Sequence, residues 1–181
     1  GSALAEAYVL CNLGQLQRDM GDFSDAVNSL SRSETMAVLQ GDVGLEAICW
    51  GDLALTNLRA GHDRDALRQA DTALARFVEL DQTMALPSIL ATKATAQLRL
   101  GEPGALETVQ QSLRLLDECR GEGPDFPHRD YWMCAAVLAA LGHGDEAERA
   151  RHAAHRLLME RAGRISDVTM RSSYLEKIAI H

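Results

Sequence analysis

Apolar side chains recur at helical spacing from Trp50 through Leu53, Ala54 and Leu58, with Asn57 as the polar exception. After a turn at Gly61-His62-Asp63 they recur again through Ala66, Leu67, Ala70, Ala73, Leu74 and Phe77. That periodicity predicts two amphipathic helices joined by a tight turn. One such pair leaves an apolar face wet, so the rest of the chain must supply the cover. Sliding the chain against itself places Gly61 over Gly21, Gly101 and Gly142, at separations of 40 (61 − 21), 40 (101 − 61) and 41 (142 − 101) residues. Eleven residues before each glycine stands a large side chain: Leu10, Trp50, Leu90 and Tyr131. Seven before stands a small residue, namely Gly14, Ala54, Ala94 and Ala135, and five after come Ala26, Ala66, Leu106 (with Ala105 beside it) and Ala147. Large residues fill the space between helices and small ones let two backbones approach. A steady period in this range predicts stacked helical repeats.

The bulky residue, the small residue, the turn glycine with an acidic neighbour (Gly21-Asp22, Gly142-His143-Gly144-Asp145) and the second-helix alanine resemble the tetratricopeptide repeat over roughly residues 5 to 160. The resemblance implies an all-α, TPR-like α-solenoid of four helix-turn-helix repeats. A period near 40 extends the helices by about one turn beyond the common form of about 34 residues. Two features depart from the pattern. Lys93 stands where Leu13 and Leu53 stand in the first two repeats, and Glu102-Pro103-Gly104 shifts the register of the third repeat's second helix.

The expected organisation is a single domain over 3–181, with repeats at about 3–41, 42–82, 83–121 and 127–162. The helices are expected at 3–20, 24–40, 44–60 and 63–80. The third pair opens at Thr83 or Met84, with Pro87 in its first turn, and continues at 103–119. The Gly/Pro-rich stretch 120–129 reads as a loop, followed by helices at 130–141 and 145–162. Asp22 or Ser24 is the expected cap of the second helix, because a short side-chain oxygen satisfies free amides of a first turn. A last helix from Ser166-Asp167, with an apolar face of Val168, Tyr174, Leu175 and Ile178, is expected to cover the open end of the array at 166–181. Gly1-Ser2 reads as the scar of a removed expression tag, so the chain reads as a piece of a larger protein.

The tail carries a second, narrower resemblance. Arg164, Ile165, Ser166, Asp167, Arg171, Ser173, Leu175 and Glu176 resemble the closing segment of repeat arrays in bacterial MalT-type regulators and ATPase-linked adenylate cyclases. Val168 and Tyr174 stand where such tails carry proline and phenylalanine. That resemblance implies the sensing or docking part of a switch whose catalytic or DNA-binding parts lie elsewhere.

Composition adds constraints to this picture. The 181 residues are 46% apolar and only 4% aromatic, with 4 prolines. No run of alternating β-branched residues predicts a strand. A formal charge of −8 argues against a nucleic-acid surface, which needs basic clusters, and suits basic or apolar partners. No apolar run approaches the roughly 20 residues of a membrane span, and no signal peptide is recognisable. Cys11, Cys49, Cys119 and Cys134 form no close pair, which predicts reduced core thiols in a cytoplasmic protein.

Candidate chemistry is sparse. His152 and His155, spaced i and i+3, can in principle share a metal with His143 or Cys134, but solvent-exposed histidines on an arginine-rich helix explain them more simply. A Cys134/His128 nucleophile competes with a packing role for Cys134. No phosphate-binding, dinucleotide, zinc-protease or nucleophile-elbow motif occurs. The expectation is therefore no enzymatic activity, no cofactor and no metal.

Binding is the stronger expectation. Residues thirteen, ten, six and two before each turn glycine should line the concave side of the array. The partner-contacting set drawn from them is Tyr8, Gln15, Leu55, Arg59, Thr95, Arg99, Arg129 and Trp132. Arg59, Arg99 and Arg129 offer forked donors to a carboxylate-bearing peptide, and Trp132 offers an apolar face. The alternative is that the arginines make salt bridges within the chain and Trp132 packs on the 120–129 loop. Three functions follow: a noncatalytic protein or peptide docking domain, a sensor of a small molecule or signal peptide, and self-association as a homodimer.

Overall fold

In the computed structural model, which describes residues 2–120 and 122–177, nine α-helices and no strands occur among the described residues. They are α1 (Ser2–Met20), α2 (Phe23–Gln40), α3 (Val43–Ala60), α4 (Asp63–Glu79), α5 (Leu86–Leu100), α6 (Ala105–Glu118), α7 (Pro127–Ala140), α8 (Gly144–Gly163) and α9 (Val168–Lys177). Each helix packs on the next in sequence. Beyond those neighbours, α1 meets α3, α3 meets α5 and α5 meets α7, so α1, α3, α5 and α7 form a shared layer.

Turns of one design make this regular. Gly21, Gly41, Gly61, Gly101 and Gly142 all have positive φ. At Gly61 the glycine amide bonds the Leu58 carbonyl at 3.2 Å and the next amide, of His62, reaches back to Asn57 at 2.8 Å. The same pair of bonds recurs at the other four and satisfies carbonyls that the helix end leaves open. Only a residue without Cβ adopts this backbone at no steric cost.

The recurring positions pack as their sizes require. Leu10, Leu90 and Tyr131 are buried and Trp50 is half-buried, while Gly14, Ala54, Ala94 and Ala135 are buried small residues. In the third pair Ala105 is buried and Leu106 only partly so, the local result of the Glu102-Pro103-Gly104 insertion. Lys93, facing α4 from α5, forms an ion pair with Asp71 at 2.6 Å where its counterpart Leu53 is core.

A polar ladder runs through the same layers. Gln17, Asn57 and Gln97 each stand four before a turn glycine. Ser29 donates to Gln17 at 2.7 Å, and the amides of Asn57 and Gln69 hydrogen-bond at 2.9 Å, tying the two helices of a pair together. Ser33 donates to the Ala7 carbonyl at 2.7 Å and accepts from Cys49 at 3.2 Å. Ser112 repeats this with the Pro87 carbonyl and Cys134.

Several expectations are corrected. Asp22 precedes α2 but its side chain makes no capping bond, and Ser24 lies inside the helix, whereas Asp42 accepts from the Leu45 amide at 2.9 Å. The third pair opens at Leu86 rather than Thr83 or Met84, because residues 83–85 turn before Pro87 can take its place in the first turn. α7 begins three residues early, at Pro127, whose fixed φ suits a first helical position. In α9, Val168 is 73% exposed and Met170 66%, so the apolar face expected of Val168, Tyr174 and Leu175 is not fully covered. Ile178, also assigned to that face, lies outside the described residues, as does Gly1 of the expected tag scar.

Candidate functional site

The layer of α1, α3, α5 and α7 encloses one side of a cleft of about 820 Å³. α1 contributes Tyr8, Cys11, Asn12 and Gln15; α3 contributes Ile48, Gly51, Asp52 and Leu55; α5 contributes Ser88, Ile89 and Thr92. Two connections close the other side: residues 81–85 between α4 and α5, and 123–126 between α6 and α7, which leads into Arg129. The loops meet at Gly123, where a Cβ would stand 3.0 Å from Met84 Cε.

The floor is charged but internally matched. Asp52 accepts from Arg18 at 2.6 Å and from Gln15 at 2.7 Å. Arg18 is 3% exposed and its Nε also donates to Asp19 at 3.1 Å, while Asp19 receives Arg59 at 3.1 Å. Burial disfavours the Arg18 charge, but Asp52 and Asp19 more than offset it and raise its pKa. Burial also lowers the Arg59 pKa, with Arg18 and Arg129 adding repulsion and Asp19 opposing. Arg129 places Nε and Nη2 on one oxygen of the fully buried Asp130, at 3.0 and 2.9 Å, with its guanidinium 5.3 Å from the Phe126 ring centre. Ser88 donates to the other Asp130 oxygen.

Of the expected groove residues, the structure brings Tyr8, Gln15, Leu55 and Arg129 together in the cleft. Arg59, Thr95, Arg99 and Trp132 lie outside its lining. Arg59 lies 5.7 Å from the Phe23 ring centre and pairs with Asp19 at 3.1 Å. Thr95 donates to the Ala91 carbonyl of its own helix at 2.8 Å. Arg99 binds the Leu58 carbonyl at 2.9 Å and Asp63 at 3.2 Å. Trp132 is 56% exposed on α7. The row that the expected pattern omits stands nine before the turn glycines: Asn12, Asp52 and Thr92, all lining the cleft. Polar residues at one register position in three successive repeats were the signal available for it.

The Tyr8 hydroxyl and the Cys11 thiol are shifted towards their protonated forms, whereas the hydrogen bond with Cys11 lowers the pKa of Cys49. Tyr8 donates to Asp42 at 3.1 Å, and burial followed by that contact raises its pKa. The hydrogen bond with Cys49, burial and the charge of Asp52 push the Cys11 thiol up. A thiol kept from ionising is a poor nucleophile. Burial likewise pushes Cys134 up to about 12. Nδ1 of His143 lies 3.0 Å from Glu146 and that of His152 2.9 Å from the Glu148 carbonyl. Among the described residues no three His, Cys, Asp or Glu side chains gather as a metal-binding group. No described helix is long and apolar enough to cross a membrane.

The chain matches no protein-family model, no curated protein and no solved structure.

Proposed function

We propose that the chain is a TPR-like α-solenoid acting as a noncatalytic docking domain for a protein or peptide, within a larger cytoplasmic bacterial regulatory protein. One observation carries this reading: the 820 Å³ cleft belongs to no single helix pair but is walled by α1, α3 and α5 together. A surface assembled by successive repeats is how stacked helical arrays recognise extended partners. The raised pKa of the Cys11 thiol supports binding over nucleophilic chemistry at that residue. The tail resemblance supplies the regulatory context.

Selection from a phage-displayed random dodecapeptide library tests it. Ile48 lines the cleft and is 38% exposed, so Ile48→Trp obstructs the space without opening the core. Peptides selected on the wild-type chain should lose binding to this variant. Equal binding to both removes the cleft as the docking surface.

The cleft volume favours a second reading, since small-molecule sites typically occupy roughly 300–1,000 Å³. Here a metabolite settles in the cleft and biases an attached ATPase, transcription regulator or cyclase. A metabolite that binds only the folded chain raises its melting temperature with concentration, an effect Ile48→Trp should abolish.

A further inference from the structure

Resting on the docking reading above, we infer that the cleft selects a positively charged, apolar-flanked peptide rather than a carboxylate-bearing one. The groups able to hold an anion are already engaged. Arg18 is matched by Asp52, Arg59 by Asp19 and Arg129 by Asp130. Arg18 and Arg129 are only 3% and 13% exposed, so an incoming carboxylate would have to displace a buried ion pair. Breaking such a pair strands a charge away from water and is strongly unfavourable.

Three guanidinium groups thus face three carboxylates. Two further acids of the lining, Asp81 and Asp125, are exposed; Arg161 donates to the Asp125 backbone carbonyl, and among the described residues no ion pair joins either carboxylate. Asp81 and Asp125 belong to the two loops that approach at Met84 and Gly123, and both line the same cleft as the exposed Met84. In the same lining, Ile48, Leu55 and Ile89 supply an apolar wall. A lysine or arginine stem laid along Met84 would bring its cationic head to the carboxylates while a neighbouring apolar side chain enters the cleft. The chain's formal charge of −8 steers the same class of partner.

The test is the residue composition of dodecapeptides selected from a random phage library on the wild-type chain, followed by titration of the most enriched synthetic peptide. Lysine and arginine should be enriched beside apolar residues. Asp81→Asn/Asp125→Asn should weaken that peptide about five- to tenfold at low ionic strength, and added salt should weaken wild-type binding likewise. Asparagine tolerates the φ of 53° at position 81, and circular dichroism verifies that the double variant is folded. Enrichment of aspartate and glutamate, or unchanged affinity in the double variant, overturns the charge assignment and leaves the docking reading standing. Failure to enrich any peptide overturns both.

Discussion

A Cβ placed on Gly14 would stand 2.6 Å from Cγ of Leu30, far inside any real carbon contact. α1 and α2 approach this closely because the position is vacant, and Leu30 fills the resulting space with no exposure at all. Helix propensity alone makes Gly14→Ala stabilising by about 1 kcal/mol. Overpacking of a filled site costs about 1–3 kcal/mol, so the net expectation is destabilisation by about 1 kcal/mol. Leu30→Val in the Gly14→Ala background should recover part of it, a coupling that a double-mutant cycle by urea denaturation measures. Additive effects would mean that the two side chains do not share this space.

Beneath the cleft, Asp52→Ala should destabilise the fold by about 3 kcal/mol, because Arg18 remains buried with only Asp19 to face it. Arg18→Met together with Asp52→Ala should cost clearly less, since no charge is then stranded. Urea midpoints for the three chains decide this. A double variant as unstable as the single one would place the loss in packing rather than charge.

Much of this architecture is legible from residue size in register. The glycine period of about 40, the small positions and the large ones locate the helix pairs, because each reports a local steric demand that tertiary context seldom overrides. The cleft is less legible. Arg59, Arg99 and Arg129 read as open donors in one dimension, and only the folded chain shows Asp19, the Leu58 carbonyl and Asp130 beside them. Asp19 and Arg59 are 40 residues apart (59 − 19), one full period, so opposite charges at one register position were an available sign of a rung between repeats. Loops are the least legible. Residues 81–85 and 123–126 are connections about one period apart, which places them side by side, but the period alone does not show that Met84 meets Gly123.

Alkaline pH should loosen α7. Burial, with Asp117 as hydrogen-bond acceptor at 2.6 Å, raises the Tyr131 pKa, and burial pushes Cys134 up to about 12. Unfolded, these groups ionise near about 10 and 8.5. The unfolded chain therefore releases protons first, and the stabilisation they contribute is complete below about pH 8 and lost as pH climbs towards 12. Denaturant midpoints between pH 7 and 11 should fall with a slope that Tyr131→Phe/Cys134→Ala flattens. An unaltered slope would assign the alkaline loss to other groups.

Asp81 and Arg120 both adopt φ of 53° at helix ends where the other turns use glycine. Asp81 completes the same pair of backbone bonds as those glycines, from its own amide to Val78 at 3.1 Å and from Gln82 to Phe77 at 3.0 Å. The left-handed region costs a residue with Cβ roughly 1–2 kcal/mol, less for aspartate, whose short polar side chain bonds locally. Glycine returns part of that through the greater freedom of the unfolded chain. Arg120→Gly should accordingly raise stability by about 0.5–1 kcal/mol, while Asp81→Gly should be near neutral. Thermal melts of the two variants give the comparison. A larger gain at Asp81 than at Arg120 would show that the aspartate is the more strained of the two.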